Sequence, residues 1–389
     1  MIHMHKLISG PALIAAGLVM AVLSAPSAAE ANEEIILHSF RGGADGAQPT
    51  GGLIADAQSN LYGTTFLSGA YDQGIVFKIT KGRNRVLHSF GAAGDGAAPT
   101  CRLLMDEAGN LYGTTNGGGT SFLGTVFKLA PDKTESVLHS FTGGSDGAGP
   151  VSDLIADASG NLYGTTQYGG TGNCTGGCGT VFKVTADGQE TVLYSFKGVA
   201  DGASPINRGG LVADAQGNLY GTTLLGGANH AGTVFKVAPD GTKTTLYTFL
   251  GVSDGKQPAG GLTMDEAGNL YGTTQYGFGT IFKLTPDGTK TTLYSFMNGT
   301  DGSAPFTNLI LDAEGNLYGT TYTGGSNVLG SVYKLAPDGT FTTLYSFVGG
   351  NDGFFPGAGL FMDARGNLYG TTVGGGGADA AGTVFEVRN

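Results

Sequence analysis

Apolar residues in this chain come in short runs separated by Gly, Asn, Asp and Pro. Beyond the first 29 residues no stretch shows the three-and-four spacing of an amphipathic helix, whereas runs of about five residues between turn formers are the mark of β-strands. Four such runs recur in a fixed order. In the first complete set they are strand A, Gly52–Asp56; strand B, Leu61–Thr65; strand C, Ile75–Thr80; and strand D, Val86–Phe90. Leu61 and Tyr62 are adjacent and both apolar, which predicts strands covered on both faces. Gly63, Thr64 and Thr65 are small, as crowding near a central axis would demand.

The runs belong to a repeat. Asn-Leu-Tyr-Gly-Thr-Thr starts at Asn60, Asn110, Asn161, Asn218, Asn269, Asn316 and Asn367, 47 to 57 residues apart. An Asp precedes each copy, at Asp56, Asp106, Asp157, Asp214, Asp265, Asp312 and Asp363. These seven are expected to cap backbone N–H groups of the A–B turn rather than to act as acids or metal ligands. A second Asp opens an Asp-Gly-x-x-Pro loop after strand D, at Asp45, Asp95, Asp146, Asp201, Asp254, Asp301 and Asp352.

Four strands per unit of about 50 residues describe the blade of a propeller or the coil of a solenoid. The ends decide between them. Leu37-His38-Ser39-Phe40 is a strand D with no A, B or C before it, and Thr383–Arg388 is a strand C with no D after it. A solenoid would leave both as open edges. The prediction is an all-β, seven-bladed β-propeller of four-stranded antiparallel blades, closed by the N-terminal strand pairing in the last blade. Residues 1–29 read as a signal peptide, 30–34 as a short linker and 35–389 as the single propeller domain. The signal has Lys6, an apolar run from Leu7 to Leu23 and small residues up to Ala29, with cleavage expected after Ala29 or Ala31. A retained anchor is the alternative, although the run is short for a span.

The motifs Asp-x-x-Gly-Asn-Leu-Tyr-Gly-Thr-Thr, Gly-Thr-Val-Phe-Lys, Pro-Asp-Gly and Leu-Tyr-Ser-Phe resemble the tandem repeats of Gloeobacter and Verrucomicrobia, the GloVer repeat of choice-of-anchor proteins. The resemblance covers Ile35 to Asn389. It implies export and surface or extracellular placement, and it carries no activity and no catalytic residues. A sorting anchor, common in that family, is not expected after the last strand. A weaker similarity links the Asp-x-x-Gly-Asn-Leu-Tyr piece to NHL, SMP-30 and streptogramin-lyase propellers.

Composition narrows the partners. The net charge is −11, with 13% charged residues, 72 Gly and no Trp. No basic stretch offsets the acidity, so neither nucleic acid nor an anionic membrane is an expected partner. No membrane span is expected after signal cleavage, and a monomer is expected. No phosphate loop, nucleophile elbow or zinc-protease motif is present, so neither a cofactor nor a metal is expected.

The B–C and D–A connections share one face and vary most, which assigns any ligand to that face. Departures from the repeat there supply the candidates. Arg102, Asp153 and Asn308 replace Gly at the start of strand A, and Arg208 precedes Gly209-Gly210. Arg102 and Asp153, on adjacent blades, are expected to form an ion pair in preference to a ligand site. Tyr168, Tyr276 and Tyr322, with Phe66, Tyr71, Phe122 and Phe278, offer rings for sugar stacking or for packing within Gly-rich loops. His230 stands alone in its loop. His38, His88 and His139 alternate with Tyr at one strand-D position, which suits outer-strand packing. Cys174 and Cys178 are expected to staple the longest B–C loop as a disulfide, and Cys101 is left unpaired. The first expectation for function is a binding or scaffold module for a glycan, protein or small molecule. The second is a lyase or hydrolase of the streptogramin-lyase or SMP-30 kind at the central mouth, drawing on Asp153, Asn308 and His230. A structural envelope component is the third.

Overall fold

The computed structural model describes residues 32–388 except 207, 252 and 253. The signal segment 1–29 lies outside the described residues. Among the described residues, strands and turns account for the chain, with one three-residue 3-10 turn at Gly43–Asp45. Blade 1 runs A (Ile54–Ala55), B (Leu61–Thr65), C (Ile75–Thr80), D (Arg83–Ser89), each strand antiparallel to its neighbour. Five sheets repeat this order along the chain. The seventh is assembled from both ends: Phe361–Met362, Leu368–Gly374 and Thr383–Val387 come from the C-terminus, and Glu34–Ser39 comes from the N-terminus as strand D. The protein is a seven-bladed β-propeller.

Strands B and C fall where the sequence places them. Strand A is shorter, because the residues ahead of Ile54 turn away into the centre of the ring. Strand D starts earlier, at Arg83, since its first residues still pair with strand C. Three blades add a short strand within the D–A connection, Gly96–Pro99, Ala148–Pro150 and Phe354–Pro356, which extends the pairing of strand B.

The closing pair sets Glu34 opposite Val387, Ile36 opposite Phe385 and Ser39 opposite Thr383. A bulge falls between Ile36 and His38, and the same bulge recurs in the internal blades, as between Val137 and His139. One extra residue in the outer strand bends and twists it. The closing blade therefore has the same local geometry as blades built from continuous chain.

Blades hold to one another through aromatic rings. The Phe that ends strand D packs edge-to-face on the strand-C aromatic of the next blade: Phe40 on Phe77 at 5.1 Å, Phe90 on Phe127 at 5.0 Å, Phe141 on Phe182 at 5.2 Å. Phe196 on Phe235, Phe249 on Phe282, Phe296 on Tyr333 and Phe347 on Phe385 continue the circle. All but Phe296, which is 4% exposed, have no exposed surface. Such pairs contribute roughly 0.5–1.5 kcal/mol each beyond area burial. The strand-C ring also explains the Gly of the repeated hexapeptide. A Cβ on Gly63 would lie 2.6 Å from Phe77 Cζ, and one on Gly164 would lie 2.6 Å from Phe182 Cζ. Crowding by the ring of the neighbouring strand, rather than by the axis, makes that position Gly.

The A–B turn is held by a partly buried polar trio. Asp56 Oδ1 accepts the backbone N–H groups of Gln58 (3.0 Å) and Asn60 (2.9 Å), and its Oδ2 accepts the Asn60 amide and the Tyr62 hydroxyl at 2.7 and 2.9 Å. Burial opposes ionisation of Asp56, but the bonds from Asn60, Tyr62 and Lys78 outweigh it and hold its carboxyl well below the usual range. The same Asp-Asn-Tyr trio recurs in the other blades, as at Asp214, Asn218 and Tyr220. The repeated Asp residues are turn caps.

Two positions break local rules. Tyr333 takes the place of a strand-C Phe, and its hydroxyl is buried without a partner. Tyr333→Phe is expected to raise unfolding stability by about 1 kcal/mol, read in urea titration, because it removes an unsatisfied polar atom and keeps the ring. A loss of stability would mean that the hydroxyl has a bonding partner. At the closing seam, burial and then the Asp352 carboxylate push Glu34 up to about 8. A carboxyl whose pKa is higher in the folded than in the unfolded chain is held protonated by the fold, so ionising it removes stability as pH rises from about 4.5 to about 8. The melting temperature is expected to fall across that window, and Glu34→Gln is expected to flatten the fall. Equal slopes for both proteins would contradict it.

Candidate functional site

Strand A begins nearest the axis, and its first turn-in residue forms a ring of seven: Gly52, Arg102, Asp153, Gly210, Gly261, Asn308 and Gly359. The four glycines make room for the three side chains. A Cβ on Gly52 would come 3.3 Å from the Arg102 side chain, and one on Gly210 would come 3.0 Å from Asp153 Cβ. A Cβ on Gly359 would overlap the Asn308 Oδ1. Each ring residue follows a small one, because the next blade approaches there. Thr64, the first Thr of the hexapeptide, donates from Oγ1 to the Cys101 carbonyl at 3.1 Å, and Thr114 does the same to Ser152 at 3.1 Å. In blade 7 the equivalent Thr371 hydroxyl is buried without a partner.

Above this ring, on the B–C and D–A side, lies a cavity of about 270 Å³ lined by Arg102, Asp153, Arg208, Asn308, Phe66 and Gln167 among others. It is small for a ligand site, for which ~300–1,000 Å³ is usual. Asp153 is buried; it accepts the Arg102 backbone N–H at 2.7 Å and faces Arg102 Nε at 3.5 Å. Burial raises the Asp153 carboxyl to about 6 against the pull of Arg102. The Arg102 side chain is 37% exposed, so this ion pair leaves a cation open to the cavity.

Arg208 arrives by a different route. Asp201 and Gly209 are eight residues apart, whereas the equivalent pairs in the other blades, such as Asp45 and Gly51, are six apart. The longer loop carries Arg208 to the mouth, where its guanidinium sits 5.1 Å over the Phe306 ring. Phe306 meets Tyr322 at 5.1 Å, and Tyr322 stacks on Phe355 at 4.9 Å. Arg208 itself remains exposed to solvent at the mouth. Wall and cation together form a polar corner that is walled by aromatic rings.

The structure brings Arg102, Asp153, Arg208 and Asn308 together and sets Tyr322 beside them. It does not bring in the rest. Tyr168 is 45% exposed over the Gly149 loop, and Tyr276 is 48% exposed with Lys256 Nζ 4.5 Å over its ring. His230 is exposed on its own loop, at a φ of 51°. None of the three lines the mouth. Cys174 and Cys178 are bonded to each other in the blade-3 loop, and Cys101 is buried and unpaired beneath the ring. Phe306 was missed from sequence; the signal was the longer loop of blade 4, which places a cation opposite it.

His38, His88 and His139, and the Tyr residues that replace them, have a more specific role than packing. Each reaches the Asp of the following D–A loop, as His88 Nε2 to Asp95 Oδ2 at 3.0 Å and Tyr247 Oη to Asp254 Oδ2 at 2.9 Å.

Seven identical-order blades and a mouth furnished only by departures from the repeat define a tandem-repeat propeller. The model of the Gloeobacter/Verrucomicrobia repeat matches residues 25–205, 171–296 and 275–389, and the chain belongs to that family. No curated protein matches the sequence. Among solved structures, the extracellular domain of a candidate hybrid two-component system, BT3049 of B. thetaiotaomicron, superposes with a TM-score of 0.59 at 11% identity, covering 92% of this chain and 41% of that one. The extracellular domain of a candidate one-component system from the same organism, BT4673, gives 0.58 at 11% identity, over 91% and 40%. This chain thus spans about two fifths of the length of those domains. A candidate 6-phosphogluconolactonase from Bacteroides uniformis gives 0.51 at 18% identity, over 75% and 83%. At these identities the likeness is one of fold.

Arg102→Ala is expected to destabilise the protein by about 1–3 kcal/mol, because Asp153 stays buried without its cation. It also lifts the Asp153 carboxyl further above about 6, so the variant loses stability to a higher pH than the parent does. Asp153→Asn is expected to remove that pH dependence. Melting curves from pH 4 to 9 read both effects; unchanged stability in Arg102→Ala would show the pair to be idle.

Proposed function

We propose that this chain is an exported binding propeller that seats a small polar ligand carrying negative charge, such as a sugar acid, at the central mouth. The observation that carries this reading is that the repeat is broken coherently there. Arg102, Arg208 and Asn308 converge on one cavity, and glycines leave the space open. Two cations against one carboxylate give the mouth a positive balance in a chain of net charge −11. The signal-like residues 1–29 and the extracellular neighbours support export. No helix among the described residues is long and apolar enough to cross a membrane.

A second reading is hydrolysis of a lactone of such an acid, with Asp153 as general base. It is favoured by the rise of the Asp153 carboxyl to about 6 inside a cavity, where a base is most effective near working pH. One panel separates the two. Aldonic and uronic acids, their lactones and neutral monosaccharides are screened by thermal shift and by lactone turnover. Binding predicts that an acid raises the melting temperature of the parent and not of Arg208→Ala or Asn308→Ala. Hydrolysis predicts lactone opening that Asp153→Asn abolishes. No shift and no turnover with any member would overturn both.

A further inference from the structure

The seams between blades, on the outer part of the ring, hold a second set of charged groups. The Asp of each D–A loop accepts the backbone N–H four residues before it and faces the His or Tyr seven residues before it. The residue at the start of strand D in the next blade completes the seam and varies: it is Asn84 on Asp45, Glu34 beside Asp352, and at the Asp301 seam Phe341, which stacks on Tyr294. On Asp201 and Asp254 that residue is a lysine: Lys243 Nζ lies 2.8 Å from Asp201 Oδ1, and Lys290 Nζ lies 2.7 Å from Asp254 Oδ1. At both of these seams, between blades 3 and 4 and between blades 4 and 5, the upstream residue is Tyr, Tyr194 and Tyr247.

Where the upstream residue is His88 or His139, the lysine is replaced by Glu135 or Glu190. The exchange removes a cation, adds an anion beside a buried carboxylate, and supplies an imidazole in the same place. Among the described residues no lysine or arginine forms an ion pair with Asp95 or Glu135, and the imidazole of His88 is the group that faces them. Glu135 is partly buried against His88 and Asp95. Its Oε1 is buried with no hydrogen-bond partner.

We propose that His88, Asp95 and Glu135 form a divalent transition-metal site of the Zn²⁺ type, which bridges blades 1 and 2 where the blade 3–4 and blade 4–5 seams use lysine. One ligand atom from each residue lies within 4.8 Å of the other two. Around a tetrahedral Zn²⁺, ligand atoms at bond lengths of ~2.0–2.1 Å stand roughly 3.3 Å apart. His88 Nε2 and Asp95 Oδ2, now 3.0 Å apart, need to part by only tenths of an ångström. The orphaned Glu135 oxygen becomes the third ligand, and a water completes the set. The donors are one imidazole nitrogen and two carboxylates, a set that suits Zn²⁺ better than Ca²⁺, which takes oxygen ligands. A wider copy lies one seam on at His139, Asp146 and Glu190. There His139 Nε2 is 3.4 Å from Asp146, and both His139 Nε2 and Glu190 Oε1 are buried without hydrogen-bond partners. The site is independent of the mouth, since none of these residues lines that cavity.

The test uses tag-free, EDTA-treated mature protein. ZnCl₂ is titrated by calorimetry and by thermal shift, with CaCl₂ as control. Zn²⁺ is expected to bind and to raise the melting temperature, with little response to Ca²⁺. Glu135→Gln is expected to weaken the tighter site roughly tenfold or more. The double variant His88→Tyr with Glu135→Lys installs the pattern of the two lysine seams. It is expected to fold, to melt no lower than the metal-free parent and to lose that Zn²⁺ site. Absence of Zn²⁺ binding by the parent, or unchanged binding by either variant, would overturn the proposal.

Discussion

The structure depends on one contact made seven times: the Phe that ends strand D lies edge-on against the strand-C aromatic of the next blade. No blade can bury its own faces, so each ring is shared between neighbours. The contact sets local requirements that spread along the sequence. Strand B must be Gly where the ring lies, and the Thr after it must reach a carbonyl of the next blade. The circle closes only because Phe40, at the front of the chain, and Phe385, near its end, sit in one composite blade and each meets a ring of its neighbour. Stability is thereby a property of the circuit rather than of any single repeat.

A scaffold built by repetition confines chemistry to its exceptions. Three ring positions carry side chains where four carry Gly, and one loop is two residues longer than its equivalents. These exceptions fall on the axis and on one face, where the blades converge and a few side chains from distant repeats can meet. At the seams a different set of exceptions, the His-for-Tyr and Glu-for-Lys exchanges, falls between consecutive blades. Both sets are polar groups set in otherwise apolar or glycine-lined surroundings, where unpaired charge is costly and a partner is correspondingly favoured.

Much of this was legible from residues alone. The hexapeptide located every strand B, and the stray segments at the two ends implied closure. The departures at Arg102, Asp153 and Asn308 marked the mouth, because a residue that breaks a sevenfold pattern must answer to something other than the fold. The reason for Gly63 was misread, since the ring above it belongs to strand C and sequence order does not show which strand lies there. His230, Tyr168 and Tyr276 stood out only by residue type, and residue type does not say which way a loop points. The seam clusters were invisible because their members are spaced 7 and 40 residues apart, as with His88, Asp95 and Glu135, and come from two blades.

The central claim is that the N-terminal strand is an integral member of a closed ring. Native-state hydrogen exchange tests it most directly, by comparing amides of Glu34–Ser39 with those of Glu190–Ser195, the same strand in a blade of continuous chain. Closure predicts that the amides bonded to strand C exchange with the same opening free energy and the same denaturant dependence in both strands. Exchange of the Glu34–Ser39 amides by local opening, far ahead of the rest, would contradict it.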